Sequence, residues 1–297
     1  MKLSTEHGHY FRAYRDEEAL DILKAAGYDA VDMSLFCMSR EDNVFNTPDY
    51  KKRALEIRAH ADKIGMPFNQ SHTPFRSKAW TDPVQYEEFY LPQQIRALEI
   101  AGIMGCENVV IHPLHDADHY KGHEDETFEI NMKYYRRLLP YAKDLGVRIV
   151  TENMWGRNEL RKCITPSACG LVEEFIRYVD GIDDESFGAC LDLGHCGLVG
   201  EEAEDAIRAL GKDRLKALHV HDNKYWDDNH TAPGLGKMHW EEIMKALAEI
   251  DYEGDLTMES DGLFKYLPPA LFGAADRFLV EIGRYLIGRF EHYKQAK

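Results

Sequence analysis

Short apolar runs of strand length recur along the chain, and each of them ends in a polar side chain. Residues 147–152 have the sequence Val-Arg-Ile-Val-Thr-Glu, and residues 187–192 have the sequence Phe-Gly-Ala-Cys-Leu-Asp. Stretches with apolar residues at helical spacing separate these runs, and Gly27, Gly65 and Gly105 each follow such a stretch. The pattern predicts strands that alternate with helices, and the helices are expected to end at these glycines.

The alternation continues over the whole chain, and no low-complexity linker interrupts it. Eight strands and eight helices can be assigned to the 297 residues. A chain of repeated strand and helix units is expected to form a parallel sheet that closes into a barrel. We therefore predict an α/β protein with one (β/α)8 TIM barrel, which forms a single domain over residues 1–297. The loops differ in length, which argues against a solenoid.

Six of the apolar runs end in a side chain that can bind a metal ion or transfer a proton. These residues are His72, His112, Glu152, Asp192, His219 and Glu259. Intervals of 40 residues separate the first four, and the same interval separates the last two. Because the carboxyl ends of the strands meet at one face of a TIM barrel, we expect the six side chains around one mouth.

Four of these side chains form the predicted metal centre: Glu152, Asp192, His219 and Glu259. Three carboxylates and one imidazole suit a divalent ion such as Mn²⁺, Co²⁺ or Mg²⁺, with positions left for substrate oxygens. If a polyol carbonyl chelates such an ion, the C–H bond next to the carbonyl becomes more acidic. Glu152 and Glu259 come from strands three steps apart around the ring, so we expect them to transfer protons on opposite faces of one carbon.

Further histidines extend the metal-binding hypothesis. His72 and His112 are candidates to join Glu152 at a second ion, and a third ion is expected at His195, Asp228 and His230. A histidine-rich set of this kind shifts the preference towards Zn²⁺. His221 shares a strand face with His219, and His221 and Lys224 are predicted to contact the substrate. The remaining loop histidines are interpreted as solvated: His7, His9, His115, His119 and His123.

Composition restricts the partners and the compartment. The net charge is −16, from 52 acidic and 36 basic residues, which does not favour binding to a phosphate backbone. Six cysteines without a CxxC pair indicate reduced thiols, and no apolar segment indicates a signal peptide or a membrane span. We therefore expect a cytoplasmic protein without nucleic-acid or membrane partners. The sequence does not decide whether the chain forms homo-oligomers.

Several motifs carry a resemblance to a known family. They are Thr151-Glu152-Asn153, Leu191-Asp192-Leu193-Gly194-His195, His219-Val220-His221-Asp222-Asn223, Asp228-Asn229-His230, Pro233-Gly234-Leu235-Gly236 and Met258-Glu259-Ser260. With these motifs the chain resembles the xylose isomerase-like TIM-barrel superfamily over nearly its whole length. This sugar phosphate isomerase/epimerase group includes ketose 3-epimerases, inosose dehydratases and endonuclease IV.

Resemblance to the ketose epimerases implies one ion at the four-residue centre and proton transfer through a metal-bound enediolate. Glu152 and Glu259 would be the proton-transfer pair, and His195 would touch substrate oxygens. Glu159 lies close to the position of another substrate-contacting glutamate of that group, one residue off in spacing. The expected function is a sugar or sugar-phosphate isomerase or epimerase that depends on Mn²⁺ or Zn²⁺, with Co²⁺ and Mg²⁺ as alternatives and a small sugar or polyol as substrate.

Resemblance to endonuclease IV implies a different activity, because all nine ligands of its three-zinc centre have counterparts here. These are His72, His112, Glu152, Asp192, His195, His219, Asp228, His230 and Glu259. The alternative is therefore a multi-zinc phosphodiesterase, and a lyase or a sugar-binding barrel without turnover also stays open. The acidic charge and the scarcity of basic residues in the mouth loops argue against a DNA substrate.

Overall fold

The structure is a computed structural model that describes residues 1–117 and 120–297. Its strands are β1 (Leu3–Glu6), β2 (Ala30–Ser34), β3 (Phe68–His72), β4 (Asn108–Val110), β5 (Arg148–Glu152), β6 (Trp155–Asn158), β7 (Cys163–Pro166), β8 (Phe187–Asp192), β9 (Leu215–His219) and β10 (Leu256–Met258). Its helices are α1 (Asp16–Ala26), α2 (Tyr50–Ile64), α3 (Pro83–Gln85), α4 (Leu91–Met104), α5 (Glu124–Leu145), α6 (Val172–Ile182), α7 (Leu193–Val199), α8 (Ala203–Arg214), α9 (Trp240–Glu249) and α10 (Phe272–Gln295).

Eight of the described strands form one parallel sheet, in the order β10, β1, β2, β3, β4, β5, β8, β9. β1 pairs with β10 through Leu3 opposite Leu256. Between β9 and β10 a single bridge joins Val220 to Met258, and Val220 donates its N–H to the Thr257 carbonyl at 2.9 Å. This seam closes the sheet, so the predicted (β/α)8 barrel is confirmed.

Helices surround the barrel and pack on one another around the ring, from α1 against α2 to α10 against α1. Each of α1, α2, α4 and α5 ends at a glycine with positive φ, as the sequence predicts. In the part of the chain that the structure describes, no helix combines the length and the apolar character needed to span a bilayer.

Apolar side chains fill the barrel directly below its mouth. Val110, Val150, Cys190 and Ala217 form a small buried cluster of their own. Each lies two residues before one of the strand-end residues His112, Glu152, Asp192 and His219. Because side chains two residues apart on a strand share a face, these four form the floor on which the polar strand ends rest.

Residues 83–104 are helical without a break, but they are not α-helical throughout. A π-helical turn spans Tyr86–Tyr90, and the Leu91 N–H bonds to the Tyr86 carbonyl, five residues earlier. Pro92 follows at once, and proline has no N–H to continue the α-helical ladder. The wider turn accommodates this missing donor.

A β-hairpin after β5 was not predicted from the sequence. β6 and β7 pair antiparallel, with Trp155 opposite Pro166 and Asn158 opposite Cys163. Lys162 in the turn adopts a positive φ of 55°. Glycine or asparagine usually occupies such a position, so Lys162 gives no sign of the turn in the sequence.

Asp276 on α10 is a fully buried carboxyl group outside the barrel mouth. Its Oδ2 accepts a hydrogen bond from the Tyr10 hydroxyl at 2.5 Å, and its Oδ1 accepts one from Tyr28 at 3.4 Å. Burial raises the pKa of Asp276 to about 7 despite these bonds. The folded protein therefore keeps a proton on Asp276 at pH values where the unfolded chain loses it.

We expect this proton to make the protein less stable as the pH rises from about 4 to about 7. The raised folded-state pKa corresponds to a loss on the order of 4 kcal/mol across that window. Asp276→Asn should flatten the slope, measured as the free energy of unfolding in urea at several pH values. Asp144→Asn, at an exposed position on α5, is the matched control. An unchanged slope in Asp276→Asn would contradict the assignment.

Candidate metal centre

The four residues of the predicted metal centre come together at the mouth of the barrel. Glu152, Asp192 and His219 are the last residues of β5, β8 and β9, and Glu259 follows β10 directly. One ligand atom from each lies within 4.8 Å of the others. His219 Nδ1 is 3.1 Å from Glu259 Oε2 and 3.3 Å from Glu152 Oε1. All four side chains are buried, so this nitrogen lies between two glutamates that water barely reaches.

His72 and His112 form a second group with Glu152. The Nε2 atoms of the two histidines are 2.6 Å apart, and His112 Nε2 is 2.8 Å from Glu152 Oε2. His72 Nδ1 lies 3.7 Å from Glu259 Oε1, so this group adjoins the four-residue centre. Burial, reinforced by the neighbouring histidines, lowers the pKa of His72 well below its ordinary value. His72 is therefore neutral, the state in which imidazole binds metals.

A third group contains His195, His221, Asp228 and His230. Asp228 Oδ2 is 3.0 Å from His230 Nε2 and 3.3 Å from His195 Nε2. His221 stacks on His230 with 3.9 Å between the ring centroids, and its Nε2 is 2.9 Å from Asp192 Oδ1. We predicted a substrate contact for His221, whereas the structure places it among the candidate ligands, where it links this group to the four-residue centre.

A short helix follows the strand that ends at Asp192. α7 begins directly after β8 and carries His195. Asp192 caps this helix, because its Oδ1 accepts the N–H of His195 at 2.8 Å. Aspartate is a preferred N-cap residue. The strand-end carboxylate therefore also fixes the first turn of the helix that carries His195.

Hydrogen bonds from the second nitrogen orient several of the histidines. His195 Nδ1 is 2.8 Å from the Asn153 carbonyl, and His230 Nδ1 is 2.9 Å from the Glu259 carbonyl. A carbonyl only accepts, so each Nδ1 carries a proton, and Nε2 is the nitrogen that is left to face Asp228 or a bound cation. Metal-binding histidines are commonly held in this way.

The donor set fits a divalent cation. Among the described residues, Asp228 Oδ1 and the Nδ1 atoms of His72 and His112 are buried without a hydrogen-bond partner. The buried polar side chains of the described residues include no lysine or arginine. A concentration of buried carboxylates is costly unless a cation balances it. Mixed imidazole and carboxylate donors are typical of Zn²⁺ and Mn²⁺ sites.

The two glutamates of the centre differ in protonation. Burial raises the pKa of Glu259 to about 8, although His219 opposes the shift. Burial also acts to raise the pKa of Glu152, but His219 and His112 outweigh it and hold that pKa well below its ordinary value. Before a cation binds, Glu152 is thus ionised and Glu259 protonated at neutral pH. Paired carboxyl groups with separated pKa values are typical of acid–base sites.

Three aromatic side chains frame the candidate ligands. The ring centroid of Phe36 is 4.5 Å from that of His72, and Phe75 is 4.4 Å from His112. The Trp155 indole N–H donates to Asp228 Oδ2 at 3.3 Å. No periodic pattern in the sequence marks Phe36 or Phe75. They give the mouth an apolar wall.

Two predicted substrate contacts are exposed side chains outside the candidate ligand groups. Glu159 lies near the tip of the β6–β7 hairpin, where its side chain is 68% exposed and pairs with Lys162. It lines a separate cavity of about 850 Å³. Lys224 is exposed in the loop after β9. The unpredicted hairpin explains the first difference, because it carries Glu159 away from the strand end.

Most loop histidines that we expected to be solvated are not. His7 and His115 are buried, and His9 stacks on Phe264 with 3.9 Å between centroids. His115 Nδ1 lies 2.7 Å from the Ser167 hydroxyl. These three expectations were wrong. The side chain of His123 is 58% exposed, as expected, and His119 lies outside the described residues.

Comparison with known proteins gives the family. The sequence model described as xylose isomerase-like TIM barrel matches residues 20–274. The chain belongs to this family. The D-psicose 3-epimerase of Enterocloster bolteae is 25% identical over 268 residues, which are 86% of this chain and 81% of that protein. The family resemblance inferred from the sequence is thereby confirmed.

Other relatives in the family match over shorter stretches. An uncharacterised protein of Methanocaldococcus jannaschii is 28% identical over 169 residues, 56% of this chain and 55% of that protein. An uncharacterised protein of Sinorhizobium fredii is 26% identical over 165 residues, 55% of this chain and 50% of that protein. In these two matches the chain spans about half the length of its relatives.

Solved structures share the fold along the whole chain. A D-tagatose 3-epimerase-like protein has a TM-score of 0.76 at 20% identity, covering 100% of this chain and 99% of its own. D-psicose 3-epimerase crystallised with D-fructose has a TM-score of 0.74 at 17% identity, with 97% and 100% covered. IolI with a bound zinc atom has a TM-score of 0.72 at 16% identity, with 99% of each chain covered. Such identities establish the fold alone.

Proposed function

We propose that the chain is a divalent-metal-dependent isomerase or epimerase of a small sugar, sugar phosphate or related polyol. The observation that carries the proposal is the pair of buried glutamates, Glu152 and Glu259, on either side of His219 Nδ1, at 3.3 and 3.1 Å. The D-psicose 3-epimerase relative supports the reaction class. Glu152, Asp192, His219 and Glu259 would hold the ion, and Mn²⁺ or Zn²⁺ suits their donor atoms best.

A bound divalent cation would supply Lewis acidity, which polarises a substrate carbonyl and acidifies the C–H bond beside it. Glu152 and Glu259 then transfer the protons: one removes the proton from that carbon, and the other returns a proton to it. Phe36, Phe75 and Trp155 exclude water from the mouth, which strengthens the electrostatic contacts within it. His195, on α7, would contact substrate oxygens.

Deuterium exchange tests this proposal directly. Purified protein loaded with Mn²⁺, Co²⁺ or Zn²⁺ is incubated in D₂O with D-fructose, D-psicose, D-tagatose and their phosphates. We expect NMR to show deuterium at a carbon next to the carbonyl and a new epimer or isomer. If these sugars stay unlabelled in every metal-loaded sample, the proposal fails for ketoses. Binding of a sugar without any exchange would favour a sugar-binding barrel.

The two additional ligand groups favour one second candidate, a multi-zinc phosphodiesterase. His72 and His112 meet at Glu152, and Asp228 lies between His195 and His230, so three ions could be held side by side. The net charge of −16 opposes a DNA substrate. Anomalous scattering at the zinc edge counts the ions, and an abasic duplex at low salt tests cleavage. Three ions together with nicking of the duplex would establish this candidate. A protein that holds three zinc ions but does not nick the duplex would exclude it.

A further inference from the structure

Asp222 is a fully buried carboxylate just beyond the end of β9. Its two oxygens accept hydrogen bonds from five N–H groups, all contributed by the segment that follows it. Oδ1 accepts the backbone N–H groups of Asn223 at 2.9 Å, Lys237 at 3.0 Å and Met238 at 3.2 Å, and Oδ2 accepts the Gly234 N–H at 2.8 Å and the Trp240 indole N–H at 2.8 Å. One side chain thus accepts hydrogen bonds from both ends of the loop between β9 and α9.

The backbone of Asp222 closes the first part of the same loop. Asp222 donates its N–H to the Thr231 carbonyl at 2.8 Å, and Thr231 donates back at 3.0 Å. Asp228 and His230 lie between these two residues. The backbone pair of Asp222 and Thr231 thus closes the base of the segment that carries Asp228 and His230.

The Pro233-Gly234-Leu235-Gly236 motif fits this arrangement. A Cβ at Gly236 would lie 2.0 Å from Asp222 Oδ1 and 2.3 Å from the Asn223 carbonyl. Gly234 has a φ of +87°, which side chains rarely adopt. The two glycines let the backbone approach the carboxylate closely, so the motif serves Asp222 and not a phosphate group.

We infer that Asp222 is a positioning residue of the metal centre: it shapes the loop so that Asp228 and His230 meet His195 around a cation. The inference rests on the proposed metal-dependent function. Metal ligands must be held to within about 0.5 Å. Without the carboxylate, five donors would lose their acceptor, and the loop would rearrange to reach water. His195 stands on α7 and would keep its place.

Cobalt titration of chelator-treated protein tests the inference without any sugar. Visible absorption of Co²⁺ reports the coordination at each class of site, and elemental analysis after dialysis counts the ions. Asp222→Asn keeps the side-chain shape but replaces one carboxylate oxygen with an NH2 group. This group faces the N–H donors of the loop and cannot accept hydrogen bonds from them. We expect one class of Co²⁺ site to weaken by about tenfold or more, with its absorption bands changed. Trp240→Phe removes a single donor and should weaken the same class less.

Asp255→Asn is the matched control. Asp255 also accepts two N–H bonds, from the Lys2 backbone at 2.9 Å and the Asn69 amide at 3.0 Å, but it precedes β10, at the opposite end of the barrel. It should keep wild-type cobalt binding. If Asp222→Asn does not fold, Gly236→Ala disturbs the same contact from the other side. Wild-type site number, affinity and spectrum in a folded Asp222 or Gly236 variant would overturn the inference, even if its melting temperature falls. A wild-type protein that binds no ion would overturn the metal-dependent function as well.

Discussion

Glu259→Gln is expected to lower turnover by about 10³-fold or more while the barrel stays folded, since general acid–base groups contribute about 10²–10⁴ in rate. Glutamine has nearly the same shape but can neither deliver nor accept the proton. It also removes one negative ligand next to His219, so metal content must be measured together with the rate. The rate is followed as deuterium entry into the substrate carbon, and Glu152→Gln should show a loss of similar size.

Glu204→Gln is the control for this prediction. Glu204 is a buried glutamate beside a histidine too, with its Oε1 3.1 Å from His239 Nδ1. It lies on α8, and it is not among the residues that we place at the metal centre. The same chemical change there should leave exchange within about twofold of wild type, because Glu204 lies on α8 and not at the end of a strand. Exchange at the wild-type rate in Glu259→Gln would show that Glu259 transfers no proton.

Removal of divalent ions is expected to destabilise the protein strongly. An ion present at about a thousand times its Kd contributes about 4 kcal/mol to stability, or roughly 10 °C in Tm. The physical reason is that the ion would bind the folded protein, in which Glu152, Asp192 and Glu259 converge, and not the unfolded chain. Thermal melts of chelator-treated protein, with and without Zn²⁺, Mn²⁺ or Mg²⁺, measure the shift.

His219→Ala and His123→Ala form the matched pair for the melts. The first removes a central ligand and should abolish most of the shift produced by Zn²⁺. The second changes the exposed histidine that directly precedes α5 and should keep the whole shift. A melting temperature that no divalent ion changes in the wild-type protein would rule out the proposed centre.

The main features of the fold and the position of the centre were predictable because they follow from backbone geometry. Alternating apolar runs and helical stretches leave few architectures open, and parallel strands in a barrel bring their carboxyl ends to one face. Glu152, Asp192 and His219 are strand-end residues, so their convergence depends only on strand boundaries and register. The interval of 40 residues between Glu152 and Asp192 made these boundaries visible.

The positions of residues that depend on the shape of a loop were not predictable in the same way. His221 was assigned to the substrate, yet it joins Asp192 and Asp228 because the loop after β9 folds back over the strand. His115 looked like a solvated loop residue, but Ser167 and the ring of Phe75 enclose it. Such contacts join segments that are far apart in the chain, and local spacing carries no trace of them. Location in the cytoplasm and self-association stay predictions.

The seam between β9 and β10 has a consequence for biogenesis. Glu259 lies at the end of the final strand, and that strand must insert between β1 and the bridge at Val220 before the barrel is complete. A ribosome-bound chain lacking residues 256–259 has every other candidate ligand but no closed ring to hold them. Under the proposed metal-dependent function, ion binding at the four-residue centre would follow translation of the last strand, and a chain truncated before residue 256 should bind no ion there.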